Sequence, residues 1–101
     1  MNLHFHETSD SLFFSLDGQL DDNAASSLPS RMTSMCNGKS QSKIVLDLGS
    51  CNVESTLGYG ALVAFRLSPL VLHKQVTIQN AVANVRSGMK ALRFEKLFNV
   101  E

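Results

Sequence analysis

The chain has no surplus of charge of either sign. Its 101 residues carry nine Lys and Arg against nine Asp and Glu. Affinity for a phosphate backbone rests on an excess of cations, so this balance argues against nucleic acid as a partner. It argues equally against docking to an anionic membrane surface. Cysteine is scarce. Cys36 and Cys51 are too few and too far apart for a disulfide framework or a CxxC site, and they read as two reduced thiols of a cytosolic protein. Long apolar runs are missing as well. The stretch from Leu57 to Leu72 is interrupted by Arg66, Ser68 and Pro69 and is too short to cross a bilayer. Residues 1–7, MNLHFHE, have neither the basic start nor the apolar centre of a secretory signal. There is no internal repeat, no low-complexity tract, and neither a Walker A nor a GxGxxG sequence. These absences predict a cytoplasmic protein without membrane insertion.

What is present suffices for one core. Hydrophobic residues make up 44% of the chain, too many for intrinsic disorder, and the length predicts a single domain over residues 1–101. A small neutral domain lacks the self-repulsion that keeps proteins apart, so contact with another protein is the broad expectation.

Residues 2–7 alternate, with Leu3 and Phe5 on one face and His4 and His6 on the other. Residues 11–17 repeat the pattern through Leu12, Phe14 and Leu16, and Thr8-Ser9-Asp10 between them is turn-forming. This predicts an antiparallel hairpin, its second strand ending at Gly18. Asp21 or Asp22 is a helix N-cap, and Leu28, Met32 and Met35 form one face of the helix that follows. Pro29 predicts a kink near Leu28 or a restart, and Asn37-Gly38 closes the helix. Residues 43–48 form a strand that buries Ile44, Leu46 and Leu48, and Gly49 to Ser55 reads as a polar loop. From Thr56 to Phe65 the chain is almost uniformly apolar, as in a mostly buried helix, and Pro69 stops or bends it. Residues 75–79 are a further strand, burying Val76 and Ile78. Asn80 then caps a third helix with Val82, Val85, Met89 and Leu92 on its face, slightly weakened by Gly88. Residues 94–100 read as a short strand or an irregular tail. The order β-β-α-β-α-β-α-(β) predicts an α/β fold with a mixed four- to five-stranded sheet. Its hairpin is antiparallel and the remainder parallel. Because the strands alternate, the helices are expected to cover mainly one face.

No catalytic constellation converges. His4 and His6 share a strand face, but a convincing metal site needs a third or fourth ligand, and only the distant His73 and scattered carboxylates remain. Nothing local marks Cys36 or Cys51 as an activated nucleophile. No metal, no cofactor and no enzyme activity are therefore expected. A lower-ranked alternative is a small metal-binding or enzymatic α/β protein using His4, His6 or Cys51. The informative segment runs from Leu46 to Val63. A strand ends, a polar loop follows, and Ser55 or Thr56 stands where a helix begins, an exposed position favourable to negative charge. Capping alone explains a hydroxyl there. A phosphorylation switch is the functional alternative.

This pattern resembles the STAS domain of bacterial anti-sigma factor antagonists. That family typically shows an LDL strand, a loop, and Asp-Ser-Ser/Thr-Gly-Leu-Gly opening a helix. Leu46-Asp47-Leu48 falls on the strand and Ser55-Thr56-Leu57-Gly58-Tyr59-Gly60 on the motif. Val76-Thr77-Ile78-Gln79-Asn80 and Leu92 to Val100 resemble later segments of the family. Ser55 stands where the family carries Asp, and Leu57 where it carries a small polar residue. The resemblance implies an adaptor that binds an anti-sigma factor acting also as a GHKL serine kinase. It implies Thr56 as phosphoacceptor, with Ser55 second, and reversal by a PP2C-type phosphatase. Asn52, Glu54, Ser55, Thr56, Gly58 and Tyr59 are the expected partner-binding residues. Within the same fold, a regulator of a non-sigma output or a subunit of a lipid-transporting ABC complex is the alternative.

Overall fold

In the computed structural model, which describes residues 1–101, the alternating segments at the start of the chain pair as expected. β1 (Asn2–Glu7) runs antiparallel to β2 (Ser11–Leu20), with Leu3 opposite Leu16 and Phe5 opposite Phe14. Thr8 closes the turn, its amide donating to the Ser11 carbonyl at 2.9 Å. β2 does not end at Gly18. That residue takes φ +111°, a conformation open to glycine, and the strand continues to Leu20 beside a different neighbour.

α1 (Asp22–Cys36) begins at the expected cap: the Asp21 carboxylate accepts from the Ala24 amide at 2.8 Å. The helix runs through Pro29 without a restart, and its buried stripe is Leu28, Met32 and Cys36. Met35 lies only at the edge of that stripe, half-buried. β3 (Lys43–Asp47) then pairs parallel to β2.

The expected loop over residues 49–55 holds a strand. β4 (Cys51–Val53) pairs parallel to the end of β2, Gly18 opposite Cys51 and Leu20 opposite Val53. Its register is displaced by one residue from that of β3, so β4 continues β3 after a bulge. Three residues are too few for an alternation to stand out among the polar Gly49, Ser50, Asn52 and Glu54. Burial of Cys51 and Val53 on either side of Asn52 is nonetheless the strand pattern.

α2 (Thr56–Arg66) follows, then β5 (Gln75–Gln79), parallel to β3. α3 (Ala83–Ala91) starts later than expected. Its N-cap is Val82, whereas Asn80 sits in the left-handed region at φ 63°, which asparagine tolerates. Only Val85 and Met89 of the expected α3 face are buried; Val82 and Leu92, near the ends of the helix, are exposed. A 3₁₀ turn (Phe94–Lys96) and β6 (Asn99–Val100), parallel to β5, close the chain. The sheet order is β1-β2-β3-β5-β6 with β4 against β2, six strands where four to five were expected.

Leu12, Phe14, Leu16, Ile44, Leu46, Val76 and Ile78 line one sheet face and join one core with Leu28, Met32, Leu62, Phe65, Val85 and Met89 of the helices. The opposite face stays wetter, carrying His4, Ser15, Asp47 and Gln79, as alternation implies. Arg66 ties the end of α2 to the end of the chain, Nε donating to the Leu97 carbonyl at 2.6 Å and Nη1 to that of Leu72 at 3.3 Å.

Two helical glycines respond oppositely to a side chain. A Cβ on Gly88 would lie 2.1 Å from the Tyr59 hydroxyl oxygen, whereas one on Gly60 would meet nothing within 4 Å. Gly60→Ala is therefore expected to stabilise the fold by about 1 kcal/mol, the ordinary helix-propensity gain. Gly88→Ala is expected to destabilise it by about 1–3 kcal/mol through overpacking. Urea unfolding of the two variants checks the opposite signs.

Candidate functional site

The parallel strands β2, β3 and β5 all end at one edge of the sheet, so the loops that follow them converge there. At the end of β3 the Asp47 carboxylate accepts from the Gly49 amide at 2.9 Å, tightening the turn into β4. The Glu54 amide donates to the Leu20 carbonyl at 3.3 Å and holds the exit of β4 against the end of β2. Ser55 is extended, with φ −149° and ψ 167°, and helical geometry begins at Thr56.

Gly58 sets the approach of α2. It is buried, and a Cβ there would lie 2.7 Å from Val53 Cγ1 and 3.0 Å from the Leu20 carbonyl oxygen. Only a residue without a side chain lets the first turn lie this close to the strand ends.

Ser55 occupies the N-cap position of α2, yet its hydroxyl does not cap the helix. Its Oγ donates instead to Asp22 Oδ1 at 2.7 Å. The starts of α1 and α2 are thereby joined side by side. Asp21, Asp22, Asn23, Glu54 and Ser55 line a shallow polar concavity between them. Its charged groups are all carboxylates. Thr56 stands at the first turn of α2, exposed, next to Leu57, which is 59% exposed.

The expectation of a mostly buried α2 holds for one side only. Gly58, Ala61, Leu62 and Phe65 are buried. Thr56, Leu57, Gly60 and Ala64 share the opposite side at helical spacing and are exposed, with Leu67 at the C-cap continuing the stripe.

The structure brings Glu54, Ser55 and Thr56 of the expected partner-binding set together. It directs Asn52 and Tyr59 elsewhere. Asn52 donates to Gln19 Oε1 at 2.9 Å and accepts from Asn84 at 3.3 Å. Tyr59 packs edge-to-face on Phe94, ring centroids 5.8 Å apart, and its hydroxyl donates to the Val85 carbonyl at 3.5 Å. Both link α3 to the rest of the fold. Asp22 belongs to the site but drew notice in the sequence only as a helix start. Its distance of 33 residues from Ser55 hides a contact that only the packing of α1 on α2 makes.

Superposition on the anti-sigma factor antagonist SpoIIAA in its unphosphorylated form gives a TM-score of 0.78 at 12% identity, covering 99% of this chain and 88% of that one. The chain has the STAS fold. An anti-sigma factor antagonist from Mycobacterium paratuberculosis matches with a TM-score of 0.73 at 17% identity, over 98% of this chain and 83% of the other. The phosphorylated form of the Bacillus cell fate determinant SpoIIAA matches at 0.62 and 12% identity, over 99% and 91%. No family model and no curated protein sequence matches the chain.

Within this STAS fold neither cysteine is poised for chemistry. Burial pushes the Cys51 thiol up to about 11, and the Asp17 carboxylate adds to the effect. Burial also raises Cys36, against the opposing charge of Lys74. A thiol raised on folding keeps its proton while the unfolded thiol, near 8.5, loses it. Stability is then fully present below about pH 8.5 and falls as pH rises toward 11, by up to about 1.4 kcal/mol per unit. Urea unfolding is expected to show this loss between pH 8.5 and 11, reduced in Cys51→Ala. Alkylation of Cys51 at neutral pH is expected to be slow in the native protein and fast in denaturant.

Proposed function

We propose that the chain is an anti-sigma factor antagonist-like partner-switching adaptor. It binds an anti-sigma factor that is also a GHKL-type serine kinase, and phosphorylation at the start of α2 switches it off. It acts in the cytoplasm as a substrate and binding module, not as a catalyst. A PP2C-type phosphatase restores it. The observation that carries this reading is the juxtaposition, on a STAS fold, of the exposed residue Thr56 with the exposed apolar side of α2 formed by Leu57, Gly60 and Ala64. Exposed apolar surface next to a modifiable hydroxyl suits a contact that a charge can break.

Thr56 is favoured over Ser55 as acceptor. A phosphate adds about −1.5 to −2 charge at neutral pH. On Ser55 it would displace the bond to Asp22 and face the carboxylates of Asp21, Asp22 and Glu54. On Thr56 it would sit on the exposed first turn, where the helix dipole favours an anion. The domain keeps its fold, while a partner pressed onto this spot must desolvate the new charge, at a cost of several kcal/mol. Glu54, Ser55, Thr56, Leu57 and Gly60 form the proposed contact surface. Asn52, Gly58 and Tyr59 support it from behind.

Incubation with the cognate kinase and ATP is expected to place phosphate on Thr56, located by tandem mass spectrometry; no phosphate on Thr56 or Ser55 removes the switch. In titration calorimetry, Thr56→Glu is expected to weaken kinase binding by at least about tenfold, or 1.4 kcal/mol. Thr56→Ala is expected to bind nearly as the unaltered protein does. Equal losses in both variants would point to packing instead of charge.

A further inference from the structure

The two edges of the sheet are unlike. β6 offers only two residues, whereas β1 offers six. The bond from the Thr8 amide to the Ser11 carbonyl sets the phase of the hairpin ladder. In an antiparallel pair alternate residues exchange both bonds with the neighbour. Asn2, His4 and His6 therefore turn their backbone groups toward β2, and Leu3, Phe5 and Glu7 turn theirs to the free edge. None of these three appears in a backbone bond from a loop or turn. Proteins blunt such edges with proline, lysine or a bulge. The segment NLHFHE contains neither Pro nor Lys, and its pairing with β2 is regular throughout.

We propose that β1 is a self-association edge, which pairs antiparallel with β1 of a second copy about a twofold axis at His4. This goes beyond the adaptor reading and is independent of it. The sequence is self-complementary in that register. Leu3 faces Phe5 of the second copy and Phe5 faces its Leu3, so the outward backbone groups of both residues find partners. Leu3 and Phe5 are half-buried against the core, and their exposed remainders meet on the same side, extending the apolar layer across the axis. On the wet side His4 meets His4 of the second copy, and Asn2 meets its His6. The alternative twofold register, centred on Phe5, sets Leu3 against the charged Glu7, which is already paired with Lys39 at 2.8 Å. The zero net charge of the chain leaves no long-range repulsion to oppose two copies. A joined pair of strand edges is smaller than the interface of a stable dimer, so association is weak and rises with concentration.

Amide hydrogen exchange followed by NMR, from low micromolar to millimolar protein, separates the outcomes. His4 and His6 amides are expected to be protected at every concentration, because they bond to β2. Leu3 and Phe5 amides are expected to exchange freely when dilute. They should gain protection by at least an order of magnitude when concentrated, in step with dimer seen by sedimentation velocity. His4 is exposed and its Nε2 lies 3.0 Å from Asp17 Oδ2, so His4→Lys combined with Asp17→Asn is expected to fold normally and to stay monomeric, two unneutralised lysines then facing each other at the axis. A monomer at all concentrations would overturn the proposal. So would a dimer that leaves Leu3 and Phe5 unprotected, or one that survives the His4→Lys, Asp17→Asn pair unchanged.

Discussion

The missing side chain of Gly58 is the constraint on which the candidate site rests. The first turn of α2 lies against the Leu20 carbonyl and the Val53 side chain at a separation that no Cβ would permit. That approach carries Ser55 to within 2.7 Å of Asp22 and leaves Thr56 and Leu57 facing outward. Val53 is in place to receive the glycine because β4 continues the sheet beyond β3, in a register shifted by one residue. Gly18, through its positive φ, lets β2 extend far enough to meet it. One close contact thus connects the bulge, the added strand and the two helix starts.

The chain's neutrality conceals a segregation of charge. Residues 1–54 hold seven of the nine acidic groups, and residues 55–101 hold six of the nine basic ones. Parallel topology gathers several of the acids at one edge, where Asp21, Asp22 and Glu54 surround Ser55. A further negative charge costs little one residue away on an exposed helix start and considerably more inside the carboxylate cluster. The proposed switch therefore needs no conformational change. It needs only that the charge arrive on a surface that must otherwise lose its water.

Much of the fold was legible in the sequence. The hairpin, β3 and β5 follow from a period of two, α1 and α3 from spacings near 3.6 residues, α2 from its nearly unbroken apolar run, and the Asp21 cap from its type and place. What stayed hidden was set by contacts between distant segments. β4 is too short to show a period and exists because β2 is there to pair with it. The uniform apolarity of Thr56 to Phe65 gave no sign of which side faces solvent, since Leu57 and Leu62 are the same residue type. Gly88 looked like a weak point in α3 and proves to be the space into which Tyr59 packs. At the site, Ser55 and Thr56 were legible through a motif. The Asp22 carboxylate that holds Ser55 was not, because no local pattern spans 33 residues.

The open side of α2 is proposed as a contact surface and not merely a loosely covered part of the core. Gly60 sits in the middle of it with empty space around it, so a larger residue there changes the surface and not the fold. The direct measurement is the affinity of Gly60→Gln for the proposed kinase partner, taken alongside its urea unfolding midpoint. The expected result is a midpoint equal to or above that of the unaltered protein, together with loss of binding. Undiminished binding by a stably folded Gly60→Gln protein would contradict it.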